Sequence, residues 1–65
     1  MSQDFDRDLK QLLEHAGCRY ERPGKGSHQI WFSPVSKRRF PVPAGIKSRH
    51  TANGVLKDAG LPKAF

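Results

Sequence analysis

Two helical periods, one at each end of the chain and each closed by an Ala-Gly pair, leave little choice about how the residues between them fold. At the amino end Phe5, Leu9, Leu12, Leu13 and Ala16 recur at i, i+4, i+7, i+8 and i+11, which is one stripe of a helix. Ser2 or Asp4 is placed to cap its start, and Asp4, Asp6 and Asp8 lie where the macrodipole favours negative charge. Gly17 is expected to end it as a left-handed residue, with Cys18 folding back onto the last turn. At the carboxyl end Ser48 reads as the N-cap of a second helix through Ala59, with the stripe Ala52, Val55, Leu56 and Ala59. Gly60 and Pro62 stop it, and Leu61 is in position for the hydrophobic contact of a Schellman cap. Gly54 inside this helix costs roughly 1 kcal/mol relative to alanine, so the helix must lean on tertiary packing. The shared Ala-Gly ending is a capping device; the chain contains no internal repeat and no linker.

Between the helices the residues read as three short strands. Cys18 to Arg22 alternates, contains Tyr20 and stops at Pro23. His28 to Phe32 is the second, where period 2 divides His28, Ile30 and Phe32 from Gln29 and Trp31. The expectation is that Ile30 and Phe32 meet the helices, with His28 at the margin of that face and Trp31 on the outside. Ser33 to Ser36 carries turn residues, and Lys37 to Val42 returns as a third strand with Phe40 and Val42 inward. Pro41 places that strand at an edge or at its own end. The fold class is therefore α+β: an α-β-β-β-α two-layer sandwich with a small antiparallel sheet and both helices on one face.

Residues 1–65 make one small domain, and a domain of about this size buries only about 60% of its unfolded surface. A ligand is accordingly expected on the surface and not in an enclosed cavity. The formal net charge is +6, unevenly spread. Before Gly17, Asp4, Asp6, Asp8 and Glu14 face Arg7 and Lys10; after it, ten Lys or Arg face only Glu21 and Asp58. Such asymmetry points to a polyanion, most simply nucleic acid. One cysteine excludes an internal disulfide, and with His15, His28 and His50 scattered there is no local metal-ligand spacing. No metal or cofactor is expected. No apolar run approaches the roughly 20 residues of a membrane span, and the acidic start is unlike a signal peptide; the expected location is the cytoplasm.

The chemistry is expected at Pro23-Gly24-Lys25-Gly26-Ser27-His28. Glycines on either side of Lys25 let the backbone approach a phosphate closely. His28 then opens a strand, which positions it better than a loop tip does, and imidazole is the side chain whose neutral, proton-accepting form is ordinarily within reach near pH 7.

Gly24-Lys25-Gly26-Ser27-His28, the strand beyond it, Pro41-Val42-Pro43, and Val55-Leu56-Lys57-Asp58-Ala59-Gly60-Leu61 closely resemble the HicA family of toxin–antitoxin systems, over nearly the whole chain. The resemblance implies a fold similar to the double-stranded-RNA-binding domain and a ribosome-independent endoribonuclease that cuts messenger RNA. It also implies a single catalytic histidine, which transfers onto His28, and a HicB-like antitoxin that masks it. Many family members carry a histidine shortly after the third-strand Val-Pro; here Ala44-Gly45 follows Pro43 instead.

The same chemistry can be argued from the residues. RNA supplies its own nucleophile, the 2′-hydroxyl, so a small domain needs only to take that proton, stabilise the phosphorane charge and orient the backbone. His28 is the candidate base, Lys25 the neighbouring positive charge, and the amides of Gly26 and Ser27 supplementary donors. The leaving-group acid is unassigned between His50 and water. Lys47, Arg49 and His50 stand at the start of the second helix, where orphan amides already favour a phosphate. Lys37, Arg38 and Arg39 form a second basic cluster, read either as phosphate contacts or as protection of an edge strand. Two other readings stay open: a non-catalytic RNA-binding module of the same shape, and an interaction protein whose basic surface binds an acidic partner.

Overall fold

The computed structural model describes residues 5–65. Its elements are α1 (Asp6–His15), β1 (Arg19–Pro23), β2 (Gln29–Ser33), β3 (Arg38–Val42) and α2 (Arg49–Asp58). The strands form one antiparallel sheet in the order β1-β2-β3. This is the expected α-β-β-β-α sandwich, a compact fold of the double-stranded-RNA-binding kind. Pro41 lies on the edge strand β3, where a missing N–H breaks no ladder between strands.

Both helices end as their sequences require. Gly17 and Gly60 have φ of 90° and 80°. The N–H of Cys18 donates to the Leu13 carbonyl at 2.9 Å and that of Leu61 to the Leu56 carbonyl at 2.8 Å, the long closing bond of a Schellman motif in each case. Ser48 caps α2, its hydroxyl accepting from the His50 N–H at 3.1 Å. The expected caps of α1, Ser2 and Asp4, lie outside the described residues. Asp6 has a different task from the expected one. Its carboxylate accepts from the N–H groups of Gly45 and Ile46 at 2.9 and 2.7 Å, which ties the start of α1 to the connector between β3 and α2.

The core joins Leu9 and Leu13 of α1, Ala52, Val55 and Leu56 of α2, and Trp31, Phe40 and Val42 of the sheet, with Cys18, Ile46 and Ala59. Leu12, counted in the α1 stripe, stays 38% exposed. The facing of β2 is the reverse of the expectation. Trp31 is 4% exposed and Ser33 fully buried, whereas Ile30 and Phe32 face away from the helices. The reason lies in the pairing: Ser33 stands opposite Arg38, so Trp31 falls opposite Phe40 and Gln29 opposite Val42. Once Phe40 and Val42 turn inward, Trp31 must follow. Its indole N–H donates to Gln29 Oε1 at 3.0 Å, so the buried ring leaves no polar group unpaired. Ser33 is satisfied too, donating to the Ala59 carbonyl at 2.6 Å and accepting from the N–H of Val35 and Ser36.

Gly54 is exposed on α2, and a β-carbon there meets nothing within 4 Å. Gly54→Ala is therefore expected to stabilise the domain by about 1 kcal/mol, a rise of roughly 4–8 °C in melting temperature. A thermal melt followed by circular dichroism checks it.

Candidate active site

β1 and β2 are joined by residues 24–28, whose geometry is set by glycine. The His28 N–H donates to the Lys25 carbonyl at 3.0 Å and the Gly24 N–H to the His28 carbonyl at 2.9 Å. Gly26 has φ of 58° while Ser27 does not share the positive sign, the pattern of a type II′ turn with glycine at its first central position. A β-carbon on Gly24 comes 3.0 Å from Ile30 Cδ1, the mobile end of that side chain, and makes ordinary contact with His28 Cβ at 3.4 Å, so a side chain at position 24 asks Ile30 to shift slightly.

His28 is exposed and sits one residue before β2, not inside it. Its Nδ1 lies 3.1 Å from the Lys25 carbonyl. A carbonyl oxygen only accepts, so Nδ1 is the nitrogen placed to carry a proton, and in the neutral tautomer that makes this bond the lone pair stands at Nε2. The turn that orders the loop therefore also favours one tautomer of the imidazole.

The expected site residues fall into separate groups. Lys25, Gly26, Ser27 and His28 share the loop. Lys47, Arg49 and His50 come off the end of β3, whose Val42 pairs with Gln29; they lie at the same end of the molecule as His28, on the helical layer. α2 has no acidic residue in its first turn, so its amino terminus keeps its positive character. Lys37 and Arg38 stand at the other end of β2, about 17 Å away by strand rise. Lys37 adopts φ of 58° in that hairpin, a conformation uncommon for a residue with a β-carbon. Arg39 points from β3 onto the open face of the sheet, donating to Glu21 Oε1 at 2.6 Å. Arg19 and Phe32 share that face with Arg39, a placement the sequence reading missed because it took the alternation of β2 in the opposite phase.

Shallow depressions open on the helical side, one of about 290 Å³ lined by His50, Asn53, Gly54, Lys57, Leu61 and Lys63. Among the described residues no three His, Cys, Asp or Glu side chains come together as metal ligands, and no helix is long and apolar enough to cross a membrane.

A basic domain with two helices on one face of a three-stranded antiparallel sheet, and an exposed histidine at a glycine turn, defines the class: a small α+β protein of the double-stranded-RNA-binding shape. A family model described as the HicA toxin of bacterial toxin–antitoxin systems matches residues 7–61, and the chain belongs to this family. Membership makes it the toxin component of such a system and brings an antitoxin partner with it. No curated protein and no solved structure matches the chain significantly.

Proposed function

We propose that this toxin is a ribosome-independent endoribonuclease that cuts messenger RNA with His28 as general base. The observation that supports this reading best is the bond from His28 Nδ1 to the Lys25 carbonyl, which leaves Nε2 as the acceptor on an exposed ring. In the reaction Nε2 takes the proton of a 2′-hydroxyl. The oxygen attacks the adjacent phosphorus, and the bond from phosphorus to the 5′-oxygen breaks. That oxygen takes a proton from His50 or from water. Lys25 and the amides of Gly26 and Ser27 offset the charge gathering on the phosphorane; Lys47, Arg49 and His50 at the start of α2 hold the flanking backbone. Masking follows the same geometry: a HicB-like antitoxin that covers the loop removes His28 from solvent.

The products identify the nucleophile. Fragments are expected to end in a 2′,3′-cyclic phosphate or its hydrolysis product, and DNA of the same sequence is expected to survive, as mass spectrometry of the digests will reveal. Cleaved DNA would remove the 2′-hydroxyl from the mechanism. Unbroken RNA at high protein concentration would favour the alternative of a non-catalytic RNA-binding module.

A further inference from the structure

The face of the sheet turned away from the helices carries an ordered row of side chains. Arg19, Phe32 and Arg39 are direct cross-strand neighbours on β1, β2 and β3. The guanidinium carbons of Arg19 and Arg39 lie 5.9 and 5.6 Å from the centroid of the Phe32 ring, within cation–π range. The next row is Arg22, Ile30 and Pro41. The ladder skips from Tyr20 to Arg22, and this bulge at Glu21 places a carboxylate beside Arg39 without removing either arginine from the surface. Three guanidiniums and one carboxylate therefore surround Ile30, Phe32 and Pro41. His28, one residue before β2, lies at the edge of the same face, its Cβ and Ile30 Cδ1 both bordering the place a β-carbon on Gly24 would take, and about 13 Å from Phe32 by strand rise.

We infer that this open face is the substrate platform of the toxin and takes single-stranded RNA, its bases against Phe32 and the guanidinium planes and its backbone against Arg19, Arg22 and Arg39. The inference rests on the nuclease reading and names its substrate class. Charge complementarity selects a polyanion. The planar groups select an unpaired strand, because aromatic rings and guanidiniums on an open sheet engage the faces of bases, which a duplex hides in its own stack. A strand laid along β2 from Phe32 runs directly into His28. Protein interfaces also favour arginine and aromatic side chains, so the toxin–antitoxin complex is the competing occupant; three arginines to one glutamate on this face favour the polyanion.

Isoleucine supplies the probe, because the chain has only Ile30 on this face and Ile46 in the core. The wild-type protein, labelled at the isoleucine methyls, is titrated with a single-stranded 2′-O-methyl oligoribonucleotide, which lacks the nucleophile and stays intact. The Ile30 methyl resonance is expected to shift while that of Ile46 stays in place. Replacing both Arg19 and Arg39 by alanine is expected to weaken binding about tenfold and to flatten the dependence of log affinity on log salt by about 1.4, two single-strand phosphate contacts. A duplex of the same sequence is expected to compete poorly. Binding that leaves Ile30 unmoved, or that survives the double substitution with its salt dependence intact, would overturn the inference while leaving the nuclease reading standing. Ile30 unmoved by RNA but shifted in the toxin–antitoxin complex would give the face to the protein partner, which also overturns it. Absence of both binding and cleavage of any RNA defeats both readings together.

Discussion

His28→Ala is expected to give a folded protein that binds RNA nearly as the wild type does and has lost most of its ability to cut it. Removing a general base typically lowers a rate by about 100- to 10,000-fold. The stability cost is small by comparison, because the ring is exposed and its one hydrogen bond runs to a carbonyl that also accepts from the His28 backbone N–H. The turn therefore keeps its closing bond when the imidazole is gone, and the substitution separates chemistry from folding. Three measurements on one sample decide it: a thermal melt, affinity for uncleavable 2′-O-methyl RNA, and the initial rate of cleavage of ordinary RNA. A variant that melts like the wild type and cuts at the wild-type rate would exclude His28 from the mechanism and leave His50 as the imidazole to test. A variant that fails to melt cooperatively reports on folding alone, and His28→Gln, which keeps a polar side chain in the loop, then carries the comparison.

The second large effect falls on stability. Trp31→Ala is expected to cost about 3–5 kcal/mol, a large share of the roughly 3–10 kcal/mol that holds a domain of this length together. The indole fills the space between sheet and helices and is 4% exposed, so its removal leaves a cavity in the core. Phe32→Ala is expected to cost less, because Phe32 stands on the open face and is only half-buried. Urea titrations of the two variants followed by far-ultraviolet circular dichroism give the order directly. Equal losses, or a greater loss at Phe32, would mean that β2 faces the other way.

That contrast also measures how much was legible in advance. Gly17 and Gly60 announced the helix ends because a left-handed C′ residue is a local requirement, set within one turn of chain. Gly24 and Gly26, on either side of Lys25, announced the loop before His28 for a similarly local reason. The order of the elements and the inward facing of Phe40 and Val42 also followed from alternation and capping alone. The facing of β2 did not, because Ile30, Trp31 and Phe32 are consecutive and apolar; each phase places large side chains on both faces, and period 2 has no preference between them.

What the sequence determined by itself is therefore what can be decided within a few residues: two helices ended by glycine, three strands, a glycine-rich loop and a basic carboxyl-terminal part. Tertiary structure decided the relations between distant residues. Hairpin pairing between Trp31 and Phe40 turned the indole inward and so exposed Phe32. The carboxylate of Asp6, read as a helix-dipole residue, found N–H groups at Gly45 and Ile46, far along the chain. Arg19 and Arg39 met across Phe32 only because their strands flank the same central one. Each of these contacts depends on register and packing between elements, and neither is a property of any single element's sequence.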